Sequence, residues 1–174
     1  MNQEEVHLFY FMKTLYLLRH AKSSWGEREL TDQDRPLNSR GLTDIPKMSA
    51  RLREKSAVQA IISSTAVRAF STAKLMGEGI GIPAESVSSR AEMYLSGPLK
   101  LLEIVRQLDD MLTEVMLVGH NPTITEFVNS MTGGNISNVP TCGLVTLKLN
   151  SDTWTDAAFD EAKLIEFDYP KKEA

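Results

Sequence analysis

An apolar run, Leu15-Tyr16-Leu17-Leu18, stops abruptly at Arg19 and His20, and this junction constrains the chain more than any other feature. An uninterrupted apolar run of this length fits a strand buried on both faces, as in a parallel sheet covered by helices on each side. The residues beyond it are polar: Lys22, Ser23 and Ser24, then Glu27, Arg28 and Glu29. Open α/β sheets carry their chemistry where buried strands end in such loops, at the carboxyl edge of the sheet. Arg19 and His20 are therefore expected at the mouth of a crevice. An isolated Arg-His pair is more often an ordinary piece of loop. Two later stretches change that balance.

The rest of the chain alternates strand and helix. Asn38 or Ser39 can cap a helix running from about Ser39 to about Lys55, with Leu42, Ile45, Met48 and Leu52 on its apolar side. Pro46 within it predicts a kink or a late start. A short strand, Val58 to Ile62, ends in Ser63-Ser64, and Thr65 opens a helix that stops at the glycine-rich stretch from Gly77 to Pro83. Val87 lies in a short strand, Arg90 to Gly97 in a loop, and Pro98 in the first turn of the next helix. Glu114 to Val118 is a further buried strand, followed by Gly119-His120-Asn121-Pro122 and another helix. Ser130 to Cys142 reads as a polar loop, Leu144 to Leu149 as a half-buried strand, and Leu164 to Phe167 as the last strand, with Trp154 against the sheet edge. This alternation predicts an α/β three-layer sandwich with a mainly parallel central sheet and an antiparallel edge.

The 174 residues suit one domain, placed over residues 12–174. The acidic residues Glu4 and Glu5, and Lys13 after the apolar piece Leu8 to Met12, do not fit a secretory signal. Met12 is a plausible second start, so residues 1–11 are expected to be an extension outside the fold. With a net charge of -4, nothing suggests a general attraction to nucleic acid or an anionic membrane, and neither is expected as a partner. The lone cysteine, Cys142, allows no internal disulfide, which fits a reducing, cytoplasmic setting. His7, His20 and His120 have no metal-ligand spacing, so neither a metal nor another cofactor is expected.

Three strands thus end in polar residues of one kind: Arg19-His20, then Ser63-Ser64 with Arg68 a turn into the next helix, then Gly119-His120. In a parallel sheet these ends lie side by side. Two guanidinium forks can grip a phosphoryl group bidentately. Helix amino-termini nearby add partial positive charge. A neutral imidazole is a competent nucleophile toward phosphorus, and a second, protonated one can stabilise charge on the equatorial oxygens.

The order of the motifs resembles the histidine phosphatase superfamily, with its phosphoglycerate mutase-like fold, and within it the short SixA-type phosphohistidine phosphatases. The motifs are Leu17-Leu18-Arg19-His20-Ala21-Lys22-Ser23, Asp34-Arg35-Pro36-Leu37 with Arg40-Gly41, Ser63 to Ala69 with Thr72-Ala73, and Val118 to Pro122. The resemblance implies His20 as the phosphorylated nucleophile, with Arg19, Arg68 and His120 forming the phosphate pocket. Many members have glycine where Ala21 stands, and a backbone angle reserved for glycine would strain an alanine. Glu92 occupies a place similar to the general acid of the larger members; a solvated loop carboxylate is the alternative. Arg35 is offered either as a contact to phosphate or substrate or as the partner of a neighbouring acid such as Asp34. The implied substrate is phosphohistidine on a protein, or a small phosphoester.

Rival classes fit less well. A cysteine phosphatase needs arginine at the position of Lys148, counted from Cys142. An aspartate-nucleophile enzyme needs Asp-x-Asp straight after a buried strand. Asp32-Gln33-Asp34 instead follows a polar loop and reads as an exposed turn. A non-catalytic phospholigand-binding module does not need both histidines. A mutase would want further segments to hold a reorienting substrate. Oligomeric state is not readable.

Overall fold

The computed structural model describes residues 2, 3, 12–26 and 29–173. Strands β1 (Thr14–Arg19), β2 (Ala60–Ser64), β3 (Val87–Arg90), β4 (Glu114–Gly119), β5 (Leu144–Leu149) and β6 (Ala162–Asp168) form one sheet in the order β3-β2-β4-β1-β5-β6. The first four run parallel; β5 is antiparallel to β1, and β6 to β5. This is the mainly parallel sheet with an antiparallel hairpin that the sequence predicts. Helices α1 (Ser39–Arg53), α2 (Val67–Ile80), α3 (Pro98–Arg106) and α4 (Thr123–Thr132) cover it.

The apolar run of β1 is continuous because both faces are buried. Leu15 and Leu17 join the cluster with Leu101, Leu102 and Val105 of α3 and Phe127 and Val128 of α4. Tyr16 and Leu18 join the opposite cluster, with Ile45, Met48 and Leu52 of α1 and Ala69, Ala73 and Met76 of α2. β4 divides in the same way, with Val115 and Leu117 on the first face and Met116 and Val118 on the second. The three layers follow from period-two alternation on strands that meet helices on both sides.

Some boundaries differ from expectation. α1 begins at Ser39 with Asn38 as its cap, the Gly41 amide donating to Asn38 Oδ1 at 3.0 Å, so Pro46 does not delay it. Gly77 and Gly79 do not stop α2. They lie inside it, and the break comes at Gly81, whose φ of 81° is left-handed. A Cβ on Gly79 would stand 2.3 Å from Ser49 Oγ on α1, so this glycine admits a close helix crossing. Trp154 is not at the sheet edge. It is fully buried in the α3/α4 cluster, with its indole N–H donating to Leu112 O at 2.8 Å. The suggested extension before Met12 lies outside the described residues, apart from Asn2 and Gln3.

The loop after β1 is braced from α1. The Asn38 amide donates to Lys22 O at 3.0 Å, and a Cβ on Gly41 would lie 2.3 Å from that same oxygen. Neither backbone can yield without moving the segment next to His20. Gly41→Ala should therefore lower stability by about 1–3 kcal/mol, the usual cost of overpacking. Thermal unfolding measures this; an unchanged melting temperature would show that α1 and the loop are not in such close contact.

Candidate active site

β4 lies between β1 and β2, with Gly119 beside Arg19 and Val118 beside Ser63 in register. The three polar strand ends therefore meet at one edge. The His20 amide donates to Gly119 O at 3.0 Å, and the Cys142 amide donates to the carbonyls of Arg19 and His20, each at 3.1 Å. The backbone around His20 is thus held from both sides. Ala21 is not among the residues with positive φ, so alanine is unstrained there; its amide donates to Thr72 Oγ1 at 3.0 Å.

His20 is buried and its Nδ1 lies 2.8 Å from Ala21 O. A carbonyl can only accept, so Nδ1 carries the proton and the Nε2 lone pair is left for chemistry. The rings of His20 and His120 are 5.1 Å apart, centroid to centroid. His120 Nε2 lies 2.8 Å from Ser64 Oγ. That oxygen also accepts from the Ala66 amide at 3.3 Å. His120 Nδ1 is buried without a hydrogen-bond partner.

Arg19 donates from Nη1 to Val139 O at 2.9 Å, while its Nε is also buried and unpaired. Arg68, in the first turn of α2, donates to Asp32: Nη1 to the carbonyl at 2.5 Å and Nη2 to Oδ2 at 3.0 Å. The structure thus brings together Arg19, His20, Arg68 and His120. Arg35 joins through Asp32, donating to Oδ1 at 2.9 Å, and also to Ser23 Oγ at 2.6 Å. Its acid partner is Asp32 and not Asp34, which accepts from Thr31 Oγ1 instead.

Glu92 is not brought in. It is exposed, its electrostatic neighbour is Lys100, and among the described residues no hydrogen bond or ion pair joins it to the histidines or arginines. The residue of that loop that reaches the site is Tyr94. Its hydroxyl donates to Asp32 Oδ2 at 2.7 Å and its ring stands edge-on to His120 at 5.8 Å. Asn121 has a bracing role: Nδ2 donates to Val139 O at 2.9 Å and Oδ1 accepts from Thr125 Oγ1 at 2.9 Å. Sequence reasoning missed Asp32, Tyr94 and Val139, because nothing local distinguishes a loop residue that folds back over a distant strand end.

The family model described as the histidine phosphatase superfamily (branch 1) matches residues 15–98, from β1 into the first turn of α3. A protein from Mycobacterium tuberculosis is 30% identical over 165 residues, covering 88% of this chain and the whole of that relative. The chain belongs to the histidine phosphatase superfamily. The superfamily match contains Arg19, His20 and Arg68; His120 enters from β4, beyond it. A solved structure of a candidate phosphohistidine phosphatase, SixA from Agrobacterium tumefaciens, is 29% identical, with a TM-score of 0.73 over 89% of this chain and 96% of that one. A structure of the protein histidine phosphatase SixA complexed with tungstate shares the fold, with a TM-score of 0.76 at 17% identity over 90% of this chain and 97% of that one.

Within this candidate site of the histidine phosphatase, burial and the two guanidinium groups govern the charge. Desolvation first, with His120, Arg68 and Arg19 adding repulsion, pushes His20 down to about 3, against the Ala21 hydrogen bond. Desolvation, then Arg68 and Arg19, pushes His120 down to about 4, with Asp32 opposing. Burial lowers the Arg19 guanidinium as well. Tyr94 first, together with Arg35 and Arg68, holds the Asp32 carboxyl well below the usual carboxylate range, against some desolvation. Both imidazoles are therefore neutral at neutral pH, and Asp32 is ionised.

A depressed pKa means that the proton binds only at lower pH. The ring resonances of His20 and His120 should therefore not titrate between pH 8 and 5 in NMR spectra of the free protein. A midpoint near the ordinary value of about 6.5 for either ring would contradict this electrostatic picture.

Proposed function

We propose that this phosphatase removes the phosphoryl group from phosphohistidine on a protein, through a covalent phosphohistidine formed on His20. The observation that carries the reading is the neutral His20, whose hydrogen bond to Ala21 O leaves Nε2 free, with Arg68 and Arg19 near enough to disfavour its protonated form. His20 Nε2 attacks phosphorus in line, forming a P–N bond as the bond to the leaving group breaks. Arg19 and Arg68 hold the equatorial oxygens through their guanidinium N–H groups, with His120 beside His20. Water then attacks phosphorus on the enzyme, and the electron pair of the P–N bond returns to His20. Positive charge on the transferred group's oxygens comes from the arginines. Among the described residues no cluster of His, Cys, Asp and Glu is placed to hold a metal ion.

A protein substrate is supported by the rim of the site. Trp25 is 75% exposed and stacks on Arg35 at 3.3 Å, and Leu95, next to Tyr94, is 84% exposed. Such side chains suit a broad partner surface better than a small hydrophilic ester. The similarity to the candidate phosphohistidine phosphatase of Agrobacterium tumefaciens supports phosphohistidine as the group cleaved.

The test is turnover of a phosphohistidine protein beside a panel of small phosphoesters, in EDTA. Phosphohistidine should be preferred and EDTA should leave the rate unchanged. His20→Ala should lower turnover by about a thousandfold or more while orthovanadate still binds within about tenfold, because the arginines remain. Loss of all activity in EDTA with recovery on adding a divalent metal, or near-normal turnover by the variant, would overturn the proposal.

A further inference from the structure

Asp32 is exposed by its backbone position, in a polar turn, yet its carboxylate is built into the phosphate site. Arg35 and Arg68 both pair with it, and Tyr94 hydrogen-bonds it. The turn itself is fastened to the start of α2, where the Val67 amide donates to Gln33 O at 2.9 Å and Gln33 Nε2 donates to Thr65 Oγ1 at 3.1 Å. Three hydrogen bonds to the carboxylate, from Arg35, Arg68 and Tyr94, and one from Arg68 to the Asp32 carbonyl thus fix this acid at the edge of the clamp. The side chain remains 46% exposed, so part of the carboxylate is open to solvent. A negative charge here is paradoxical in a site for a dianion. It competes with the phosphoryl oxygens for Arg68 and repels them.

We propose that Asp32 is a specificity-determining residue: its carboxylate favours phosphoryl donors whose leaving group carries an N–H or positive charge, as a protonated phosphoimidazole does, and disfavours leaving groups that build negative charge. The proposal rests on the phosphatase reading above and names what that site selects. When His20 Nε2 attacks, the P–N bond of the donor breaks and its electron pair returns to the leaving nitrogen. If the distal ring nitrogen already holds a proton, the group departs as neutral imidazole and no further proton is needed. Asp32 accepts the hydrogen bond from that distal N–H and keeps the proton in place. With an ester, the electron pair goes to oxygen. An ionised carboxylate has no proton to give it, and the growing negative charge is repelled. The same charge accounts for an acid that cannot serve as a general acid while standing nearest the clamp.

The experiment compares wild type with Asp32→Asn and Asp32→Glu on two substrates, a phosphohistidine peptide and p-nitrophenyl phosphate, with orthovanadate affinity as a separate readout. Asp32→Asn should lower kcat/KM for the peptide relative to the ester by about tenfold or more, the scale of one charge-assisted hydrogen bond. It should also bind vanadate more tightly, since Arg68 loses an internal competitor. Asp32→Glu should restore much of the discrimination. Equal losses on both substrates together with weaker vanadate binding would mean that Asp32 only braces Arg68, and would overturn the inference. Wild type that turns over neither substrate would overturn the phosphatase reading as well. Wild type that prefers the peptide, with that preference unchanged in Asp32→Asn, would overturn this inference alone.

Discussion

Concentrated positive charge at one sheet edge is the constraint on which the rest of the structure turns. Arg19 and Arg68 stand beside one buried and one half-buried imidazole, and a buried charge is tolerated only where it is paired and hydrogen-bonded. The fold meets that requirement in three ways. The histidines give up their protons. Val139 O takes one Arg19 donor. Asp32 supplies an internal anion to Arg68. Arg19 Nε and His120 Nδ1 stay buried without a hydrogen-bond partner.

Placement comes from the sheet and not from the loops. β1 is flanked by β4 on one side and β5 on the other, so the position of Arg19 and His20 is set by main-chain hydrogen bonds on both sides. β4 delivers His120 next to them, and β2 leads through Ser64 to Arg68 at the start of α2. Ser64 serves twice, ending a strand and orienting the His120 ring. A rigid base of this kind is what in-line attack requires, since small misplacements of reacting atoms cost large factors in rate.

Much of this was legible in the sequence because it depends on periodicity. The doubly buried strands β1 and β4 announce themselves as apolar runs, and Arg19, His20, Arg68 and His120 follow from where strands end and helices begin. The glycines of α2 misled because a glycine between helices signals close packing as readily as termination, and only Gly81 has the backbone angle that ends a helix. Glu92 is exposed, and among the described residues no hydrogen bond or ion pair joins it to the histidines or arginines. Its loop does approach the site, but the residue turned inward is Tyr94, and the side chain that a short turn presents is not fixed by residue type. Asp32 read as an exposed turn, and by accessibility it is one. Its place in the site depends on Arg35, Arg68 and Tyr94, contacts set by the tertiary fold.

The central claim is that His20 takes the phosphoryl group covalently. Brief mixing with a substrate labelled on phosphorus, quenching in alkali and mapping of the labelled peptide tests it most directly. A phosphoramidate is stable in base and lost in acid, so the account predicts an alkali-stable, acid-labile label carried by the peptide containing His20 and missing from His20→Ala. A label on any other residue, or one that survives acid as a phosphoester does, would contradict it.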